Sequence, residues 1–171
     1  MKSSKALRRL LALKAVPREG WRRFAIPQAS VESVADHSYG VALLVLLLCP
    51  PELDRARAVE MALLHDLAEV VTGDIIPSAG VAAARKAADE LEALRSLSAP
   101  LGWQERACEL FTEYQEQSSP EARFVKAVDK LDMALQSLSY EEAFGVNLQE
   151  FRDSAHPLLV ESGLIEWLGS D

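Results

Sequence analysis

Apolar residues recur at intervals of three and four along most of the chain, whereas alternating apolar and polar runs are missing. The first spacing is typical of helices that bury one face, and alternation would be typical of half-buried strands. The pattern therefore predicts an all-α protein. The expected helices cover residues 4–15, 34–48, 55–71, 81–97, 103–117, a segment that starts at 120, and one or two short helices within 147–168.

Capping residues support two of these helices. Ser33 and Asp36 have the spacing of a capping box, so a helix should start at Val34. Asp54 can cap the next helix, and Gly73 can end it in a left-handed conformation.

Further signals concern the later helices. Ser78 can cap the alanine-rich helix, and Ser119 followed by Pro120 predicts another helix start. Proline disrupts helix interiors, so the pair His156-Pro157 predicts a break in the last segment.

The first segment combines a basic start with leucines at helical spacing. Its cations are interspersed as far as Lys14, and no small-residue cleavage site follows an uninterrupted apolar core. We therefore expect an amphipathic helix of the mature protein rather than a signal peptide. Its buried face should consist of Leu7, Leu10, Leu11 and Ala15.

Length and composition indicate one globular domain. The chain has 171 residues, of which 49% are hydrophobic and 26% are charged. That is enough to bury a core without disulfides. We expect a single domain over residues 1–171.

The net charge of −8 argues against a protein that tracks a nucleic-acid backbone, because such proteins need a positive surface. A small anion remains compatible with this charge, since local cations or a metal ion can reverse the field inside a pocket. We therefore expect a small-molecule partner and no nucleic-acid polymer.

Cysteine usage and hydropathy favour a cytoplasmic protein without a membrane span. Cys49 and Cys108 have no disulfide or zinc-site spacing, so both are expected to be buried free thiols. The apolar run over 41–49 is too short to cross a bilayer and is ended by Pro50 and Pro51.

The segment "LLHDLAEVVTGD", residues 63–74, carries the first candidate chemistry. On a helix, His65, Asp66 and Glu69 would be neighbours within an apolar run, where unpaired charge is costly. One interpretation is an ordinary buried histidine with two acids at the solvent edge. The other is a set of metal ligands.

Two further residues favour the metal site. His37 begins an apolar helix in "SVADHSYGVALL", and Asp129 lies within the amphipathic run "FVKAVDKLDMAL". A small bundle could therefore bring four potential ligands together from three helices. Imidazole and carboxylate ligands suit a divalent transition metal.

The order His37, His65-Asp66, Asp129 resembles the H…HD…D pattern of the HD-domain metal-dependent phosphohydrolases. The segment "HDLAEVVTGDIIP" is similar to the HDxxE…GDxxxP segment of the HD-domain 5′-deoxynucleotidases. The stretches "REGW", "ESVADHS" and "QSSPEARFVKAVDKLDMALQSLSYE" also resemble that family. The similarity covers about residues 18–141, and the helical tail over 147–168 follows it.

The resemblance implies a single-domain HD helical bundle that binds one divalent cation through His37, His65, Asp66 and Asp129. The implied ion is manganese or cobalt, or a related ion such as magnesium, zinc, iron or nickel. The implied reaction is hydrolysis of (deoxy)ribonucleoside 5′-monophosphates to nucleoside and phosphate. The family resemblance also implies a homodimer.

The same resemblance assigns roles to residues near the metal. Glu69 matches an acid that assists catalysis together with the ligand Asp66, and Asp74 matches an acid that contacts the sugar. Trp21 matches an aromatic residue near the substrate. The family also places an arginine beside that tryptophan, but glycine precedes Trp21 here, so the arginine must be Arg18, Arg22 or Arg23. Arg18 is favoured.

Without the resemblance, some of these residues have simpler interpretations. An acid after glycine, as at Asp74, is most often a turn residue, and Trp21 alone would be assigned to the core. Lys126, Lys130 and Asp132 are expected to be charges on a helix face, although Lys130 could approach a phosphate.

The histidine count predicts a mononuclear site. Dinuclear HD enzymes draw on additional histidines between the His-Asp pair and the final aspartate, and this chain has none there. The remaining histidine, His156, is expected at the surface.

Two alternatives to the 5′-nucleotidase stay open. One is an HD phosphohydrolase of another small phosphoester, such as a cyclic nucleotide or a nucleoside triphosphate. The other is a non-enzymatic sensor in which the metal only links three helices.

Overall fold

The regular elements in the described part of the chain are helices. The computed structural model describes residues 4–76 and 79–169. Its α-helices are α1 Ser4–Leu10, α2 Val34–Leu48, α3 Arg55–Leu64, α4 Glu69–Thr72, α5 Ala83–Ser98, α6 Gln104–Glu116, α7 Pro120–Phe144 and α8 Gln149–Glu161. Short 3-10 segments cover Leu11–Ala15, Trp21–Arg23, Gln28–Ser30, Ala99–Leu101 and Leu164–Leu168. The predicted all-α fold is confirmed.

The long helix α7 lies at the centre of the bundle, where it packs against α2, α3, α6 and α8. Its buried side chains include Val125, Val128, Leu131 and Ala134, which repeat at helical spacing. Asp129 is also buried on this helix, with 6% of its surface exposed. The packing therefore carries a carboxylate into the middle of the protein.

The segment before α2 is fixed by backbone hydrogen bonds. The Arg18 N–H donates to the Glu32 carbonyl at 3.0 Å, and the Val34 N–H donates to the Val16 carbonyl at 2.8 Å. An isolated antiparallel bridge joins Pro17 and Ser33. These contacts hold Arg18 beside the first turn of α2, which contains His37.

Predicted caps agree with the structure at three helices. The Ser33–Asp36 capping box begins α2, and Asp54 caps α3. Ser119 caps α7, with Pro120 at the first helical position.

The prediction of one α-helix over 4–15 is wrong in length and in its buried face. α1 ends at Leu10 and continues as the 3-10 segment Leu11–Ala15. Leu7 and Leu11 are 54% and 58% exposed, and Ala15 is exposed, whereas Leu13 is buried. The tighter winding after Leu10 turns Leu13 toward the core.

The predicted helix over 55–71 is interrupted. α3 ends at Leu64, and a turn over residues 65–68 separates it from α4. Hydrogen bonds of the i→i+3 type hold this turn, including the Glu69 N–H to the Asp66 carbonyl at 3.0 Å. Gly73 ends α4 with φ 73° and ψ 167°, a positive φ outside the predicted left-handed helical conformation.

The expected break at His156-Pro157 is also wrong, because α8 continues through Pro157. Pro157 and Asp153 are both exposed, so water can solvate the Asp153 carbonyl that loses its helical donor. His156 is exposed as expected. Ser78, the predicted cap of α5, lies outside the described residues.

Cys49 and Cys108 are both free thiols, as expected, but only Cys49 is fully buried. Within residues 4–76 and 79–169, no helix is both long enough and apolar enough to cross a bilayer.

Candidate metal centre

Four predicted ligands converge where α2, the end of α3 and α7 meet. His37 lies in the first turns of α2, His65 and Asp66 follow α3, and Asp129 lies on α7. Ligand atoms of His37, His65 and Asp129 all lie within 4.8 Å of one another. The Asp66 carboxylate is next to them, with Oδ2 3.2 Å from His65 Nε2 and 3.7 Å from His37 Nε2.

His65 and Asp66 are consecutive residues of the turn over 65–68, which is held by i→i+3 hydrogen bonds. Their side chains nevertheless reach the same point, with His65 Nε2 3.2 Å from Asp66 Oδ2.

Each histidine has one ring nitrogen engaged on the side away from the centre. His37 Nδ1 lies 2.7 Å from Asp132 Oδ2, and His65 Nδ1 lies 2.7 Å from the Ala62 carbonyl oxygen. A carbonyl oxygen only accepts, so in the neutral ring of His65 the proton is on Nδ1 and Nε2 has the free lone pair. The Asp132 contact favours the same tautomer for the neutral ring of His37.

The two Nε2 atoms are buried and, within the described residues, make no hydrogen bond. His37 Nε2 lies 3.2 Å from Asp129 Oδ1, but the contact lacks hydrogen-bond geometry. Buried polar atoms are usually paired. Since a cation bound at about 2.0–2.2 Å keeps its ligand atoms about 3–4 Å apart, this donor set fits a divalent metal ion.

Asp129 has its two oxygens in different roles. Oδ2 accepts hydrogen bonds from Lys126 Nζ at 2.9 Å and from the Tyr114 hydroxyl at 3.1 Å. Oδ1 faces His37. Lys126 and Tyr114 therefore orient the carboxylate and leave one oxygen toward the centre.

Charges around the centre shift the pKa values of its acids and of His37. Burial alone would raise the pKa of Asp66 and Asp129, but neighbouring imidazoles and cations outweigh it and hold both well below their usual range. Burial and the Arg18 charge oppose protonation of His37. The carboxylates of Asp129 and Asp132 outweigh them and raise its pKa to about 9.

Gly40 allows Asp132 to approach His37. A Cβ atom added at Gly40 would lie 2.2 Å from Asp132 Oδ1, so any side chain there would displace the Asp132 carboxylate. The glycine is on α2, one turn beyond His37, directly under the carboxylate that holds the imidazole.

A cavity of about 800 Å³ opens over this centre. That volume suits a small molecule of nucleotide size. Its wall includes the predicted residues Arg18, Trp21, Asp66, Glu69, Asp74 and Asp129. A second surface hollow, of about 760 Å³, is lined mainly by residues of α6 and contains none of these residues.

Arg18 is the predicted arginine that lies deepest in the cavity. Its Nη1 lies 3.5 Å from Asp66 Oδ2 and 3.6 Å from Asp74 Oδ1. Arg22 is bonded to Glu19 at an exposed position, and Arg23 pairs with Glu150 on α8. The preference for Arg18 over its neighbours agrees with this geometry.

Glu69 begins α4 and is 2% exposed. Its Oε2 has no hydrogen-bond partner within the described residues. Burial, followed by the charges of Asp66 and Asp74, raises its pKa to about 10. Before a cation binds, Glu69 therefore holds a proton at neutral pH.

Asp74 and Trp21 each have a structural contact as well as a place in the cavity wall. Asp74 Oδ2 accepts a hydrogen bond from the Glu19 N–H at 2.7 Å. Trp21 is 1% exposed and packs on Phe151 with ring centroids 4.2 Å apart. Trp21 thus belongs to the core and forms part of the wall.

Sequence reasoning missed three residues of the site. Asp132 contacts His37, Tyr114 contacts Asp129, and Lys86 of α5 lies at the edge of the cavity. Asp132 was expected to be a charge on a helix face, but it contacts His37. Its spacing of three from Asp129 puts both on one helix face, a signal that was present. Lys130 also lines the cavity, where burial lowers its pKa.

This chain is similar to several known proteins. Residues 10–162 match the family model described as HD domain. The 5′-deoxynucleotidase HDDC2 of Bos taurus is 39% identical over 91% of this chain and 79% of its own length. The 5′-deoxynucleotidase HDDC2 of Danio rerio is 41% identical over 81% of this chain and 70% of its own length.

A solved structure agrees as well. The PH0347 protein of Pyrococcus horikoshii OT3 superposes with a TM-score of 0.78 and 35% identity, covering 91% of this chain and 88% of that one. The family expected from the H…HD…D order is therefore confirmed. The chain belongs to the HD domain family.

Proposed function

We propose that this protein is a metal-dependent 5′-nucleotidase that hydrolyses (deoxy)ribonucleoside 5′-monophosphates to nucleoside and phosphate. The observation that carries the proposal is the pair of unpaired, buried imidazole nitrogens of His37 and His65 beside Asp129, at the floor of a nucleotide-sized cavity in the described residues. The 5′-deoxynucleotidase names of its relatives support the same activity.

His37, His65, Asp66 and Asp129 are the proposed ligands of a single cation. The family resemblance makes manganese and cobalt the preferred candidates, with magnesium, zinc, iron and nickel as related ions. The absence of further histidines between Asp66 and Asp129 in the sequence supports one ion rather than two.

A bound divalent cation polarises a phosphoryl oxygen and lowers the pKa of water toward ~7. The chain supplies the remaining functions. Arg18 offers a planar donor pair to the phosphate, and Asp66 orients Arg18 through their 3.5 Å contact. Glu69, buried at the start of α4, is proposed to donate a proton to the leaving 5′ oxygen.

The rest of the cavity is proposed to bind the nucleoside. Asp74 can accept a hydrogen bond from a sugar hydroxyl through Oδ1, since Oδ2 is engaged by the Glu19 amide. Trp21 contributes a rigid apolar wall rather than an open stacking surface, because its ring is packed on Phe151.

The activity is tested by phosphate release from a panel of ribonucleoside and deoxyribonucleoside monophosphates, with and without added Mn²⁺. Release that depends on the cation is expected. A cyclic nucleotide and a nucleoside triphosphate belong in the same panel, and preference for either would replace the proposal by the other HD phosphohydrolase activity. Absence of release from every compound, with metal loaded, would rule out a phosphohydrolase of this kind.

The variant Glu69→Gln separates an enzyme from a metal-linked sensor. Loss of a general acid is expected to lower kcat by at least about 10²-fold. Bound metal, measured by elemental analysis, should not change. Glu92→Gln, at a side chain that is 77% exposed, is the matched control. An active Glu69→Gln variant would remove Glu69 from the mechanism.

We also propose a homodimer. Tyr39, Leu43, Leu46 and Leu47 lie along one face of α2 and are 40–67% exposed. An exposed apolar stripe of this kind is typical of a protein interface. Sedimentation should give a dimer for the natural chain and a monomer for Leu43→Glu/Leu47→Glu. Val160→Glu on α8 serves as control, and a monomeric natural chain would exclude the dimer.

A cytoplasmic location is proposed on the basis of the two free cysteines, which are usual in reducing compartments. The whole chain is proposed to act as one domain, because Phe151 of the C-terminal helix α8 lines the cavity together with residues of the 18–141 region.

A further inference from the structure

Lys86 of α5 lies at the edge of the cavity, among three oxygen atoms. Its Nζ donates a hydrogen bond to the Ile75 carbonyl at 3.0 Å. The same nitrogen is 3.5 Å from Glu90 Oε1 and 3.8 Å from Glu69 Oε1. The Ile75 contact is a hydrogen bond, whereas the two carboxylates are held at ion-pair distance.

Glu90 explains why Lys86 keeps this position. It is one turn further along α5 and only 5% exposed. A buried carboxylate is costly unless a cation is near, and Lys86 is the cation that pairs with Glu90 among the described residues. The pair is therefore fixed by burial, unlike an ion pair on an exposed helix face.

The contacts of Lys86 link three separate parts of the site. Ile75 follows Asp74 in the segment after α4, Glu69 begins α4, and Glu90 belongs to α5. Lys86 is the side chain that bridges them, with 31% of its own surface exposed. Its removal would leave both α4 and the segment over 73–76 without this attachment to α5.

We propose that Lys86, anchored by Glu90, is a positioning residue that holds Glu69 and the segment over 73–76 in place for the reaction. The proposal rests on the proposed function for its effect on catalysis. Lys86 acts through Glu69 and the Ile75 carbonyl, and its ammonium is held among protein oxygens. Its loss therefore lowers kcat and leaves KM nearly unchanged.

The first test compares Lys86→Met with Arg85→Met. Arg85 pairs with Asp89 at the same spacing on the same helix, but its side chain is 73% exposed and outside the cavity. Lys86→Met should lower kcat by about tenfold or more, as expected for small misplacement of a reacting group, with KM within about twofold. Arg85→Met should leave both constants unchanged.

Glu90→Gln provides a second route to the same result. It should lower kcat in the same direction, and the double variant Lys86→Met/Glu90→Gln should lose less than the product of the two single effects. A rise in KM with unchanged kcat would overturn the proposal in favour of substrate binding by Lys86. A fall in melting temperature with unchanged kcat would overturn it in favour of a purely structural pair.

Hydrogen exchange gives a measurement that does not depend on activity. Backbone amides over 69–76 should exchange faster in Lys86→Met than in the natural protein or in Arg85→Met. Equal exchange would overturn the positioning role even in an active enzyme. Faster exchange in a protein that hydrolyses no nucleotide would instead exclude the proposed function and leave the attachment itself established.

Discussion

At the scale of single residues, the groups that contact Nδ1 of the two histidines are as informative as the proposed ligands. Asp132 holds His37 Nδ1, and the Ala62 carbonyl holds His65 Nδ1. Such contacts fix the ring orientation and, where the partner is a carboxylate, increase the basicity of the imidazole. Asp132 is thus expected to affect metal binding without touching the ion.

Asp132→Ala should weaken Mn²⁺ binding by about 10–100-fold. Asp132→Asn keeps an acceptor for the ring N–H and should lose less affinity. Calorimetric titration of metal-free protein measures both. Asp89→Ala, at an exposed position, controls for the loss of one negative charge. Equal affinity in Asp132→Ala and the natural protein would contradict the role of Asp132.

Metal binding should depend on pH through His37. Its pKa is raised to about 9, so the metal-free imidazole is mostly protonated at neutral pH. A cation binds only the neutral ring, and therefore a proton must leave. From pH 9 downward, the apparent affinity for Mn²⁺ should fall by up to about tenfold per pH unit from this group alone.

Titrations at several pH values in buffers of different ionisation enthalpy measure both the affinity and the number of protons released. About one proton per ion is expected near neutral pH. Without metal, the raised pKa of His37 stabilises the folded protein. This stabilisation is fully present below pH 6.5, the ordinary pKa of histidine, and is lost as the pH rises through about 9. An affinity that is flat over this range would show that His37 is not protonated.

At the scale of secondary-structure elements, the end of α4 depends on Gly73. Its φ of 73° with ψ of 167° is a combination adopted almost solely by glycine. Gly73→Ala should lower the free energy of unfolding by about 1–3 kcal/mol, measured by denaturant titration. The cost is conformational, because an added Cβ would meet no atom within 4 Å.

Gly20→Ala is the matched control for this substitution. Gly20 has φ −53°, and an added Cβ would lie 3.5 Å from Phe151, an ordinary contact. Its effect on unfolding should be smaller than that of Gly73→Ala. The reverse order would show that backbone conformation does not control the end of α4.

Local signals were enough to predict α2 and the start of α7, because Ser33, Asp36, Ser119 and Pro120 act through contacts within one turn. The turn over 65–68 could not be predicted in this way. Its residues are compatible with a continuous helix, and packing of His65 and Asp66 at the centre decides against it.

The same distinction applies to the site. His37, His65, Asp66 and Asp129 were recognisable by residue type and order, since few side chains bind metals. Lys86 was not, because a lysine and a glutamate four apart usually form an exposed pair on a helix. Only the packing of α5 on α4 turns that pair toward the cavity.

At the scale of the whole molecule, the cavity joins distant parts of the chain. The N-terminal segment gives Arg18 and Trp21, α7 gives Asp129, and α8 gives Phe151 and Ser154. The last two lie beyond the region of motif resemblance. The C-terminal helix should therefore affect substrate binding as well as stability.

Phe151→Ala tests this expectation. Phe151 is half-buried and packs on Trp21 and Phe24. The variant should lose roughly 2 kcal/mol of stability, below the 3–5 kcal/mol typical of a fully buried phenylalanine, and its KM should rise. Phe144→Ala, another half-buried phenylalanine outside the cavity, should lose stability with unchanged KM. Equal KM values in both variants would place the substrate away from α8.

The close approach of Gly40 to Asp132 has a consequence for how sequences of this fold can vary. A saturation library at position 40, selected for metal-dependent function, should return glycine alone while aspartate occupies position 132. Larger residues would become tolerable only when position 132 changes in the same clone, and His37 would then need another acceptor. The two positions should therefore covary, although 92 positions separate them in the chain.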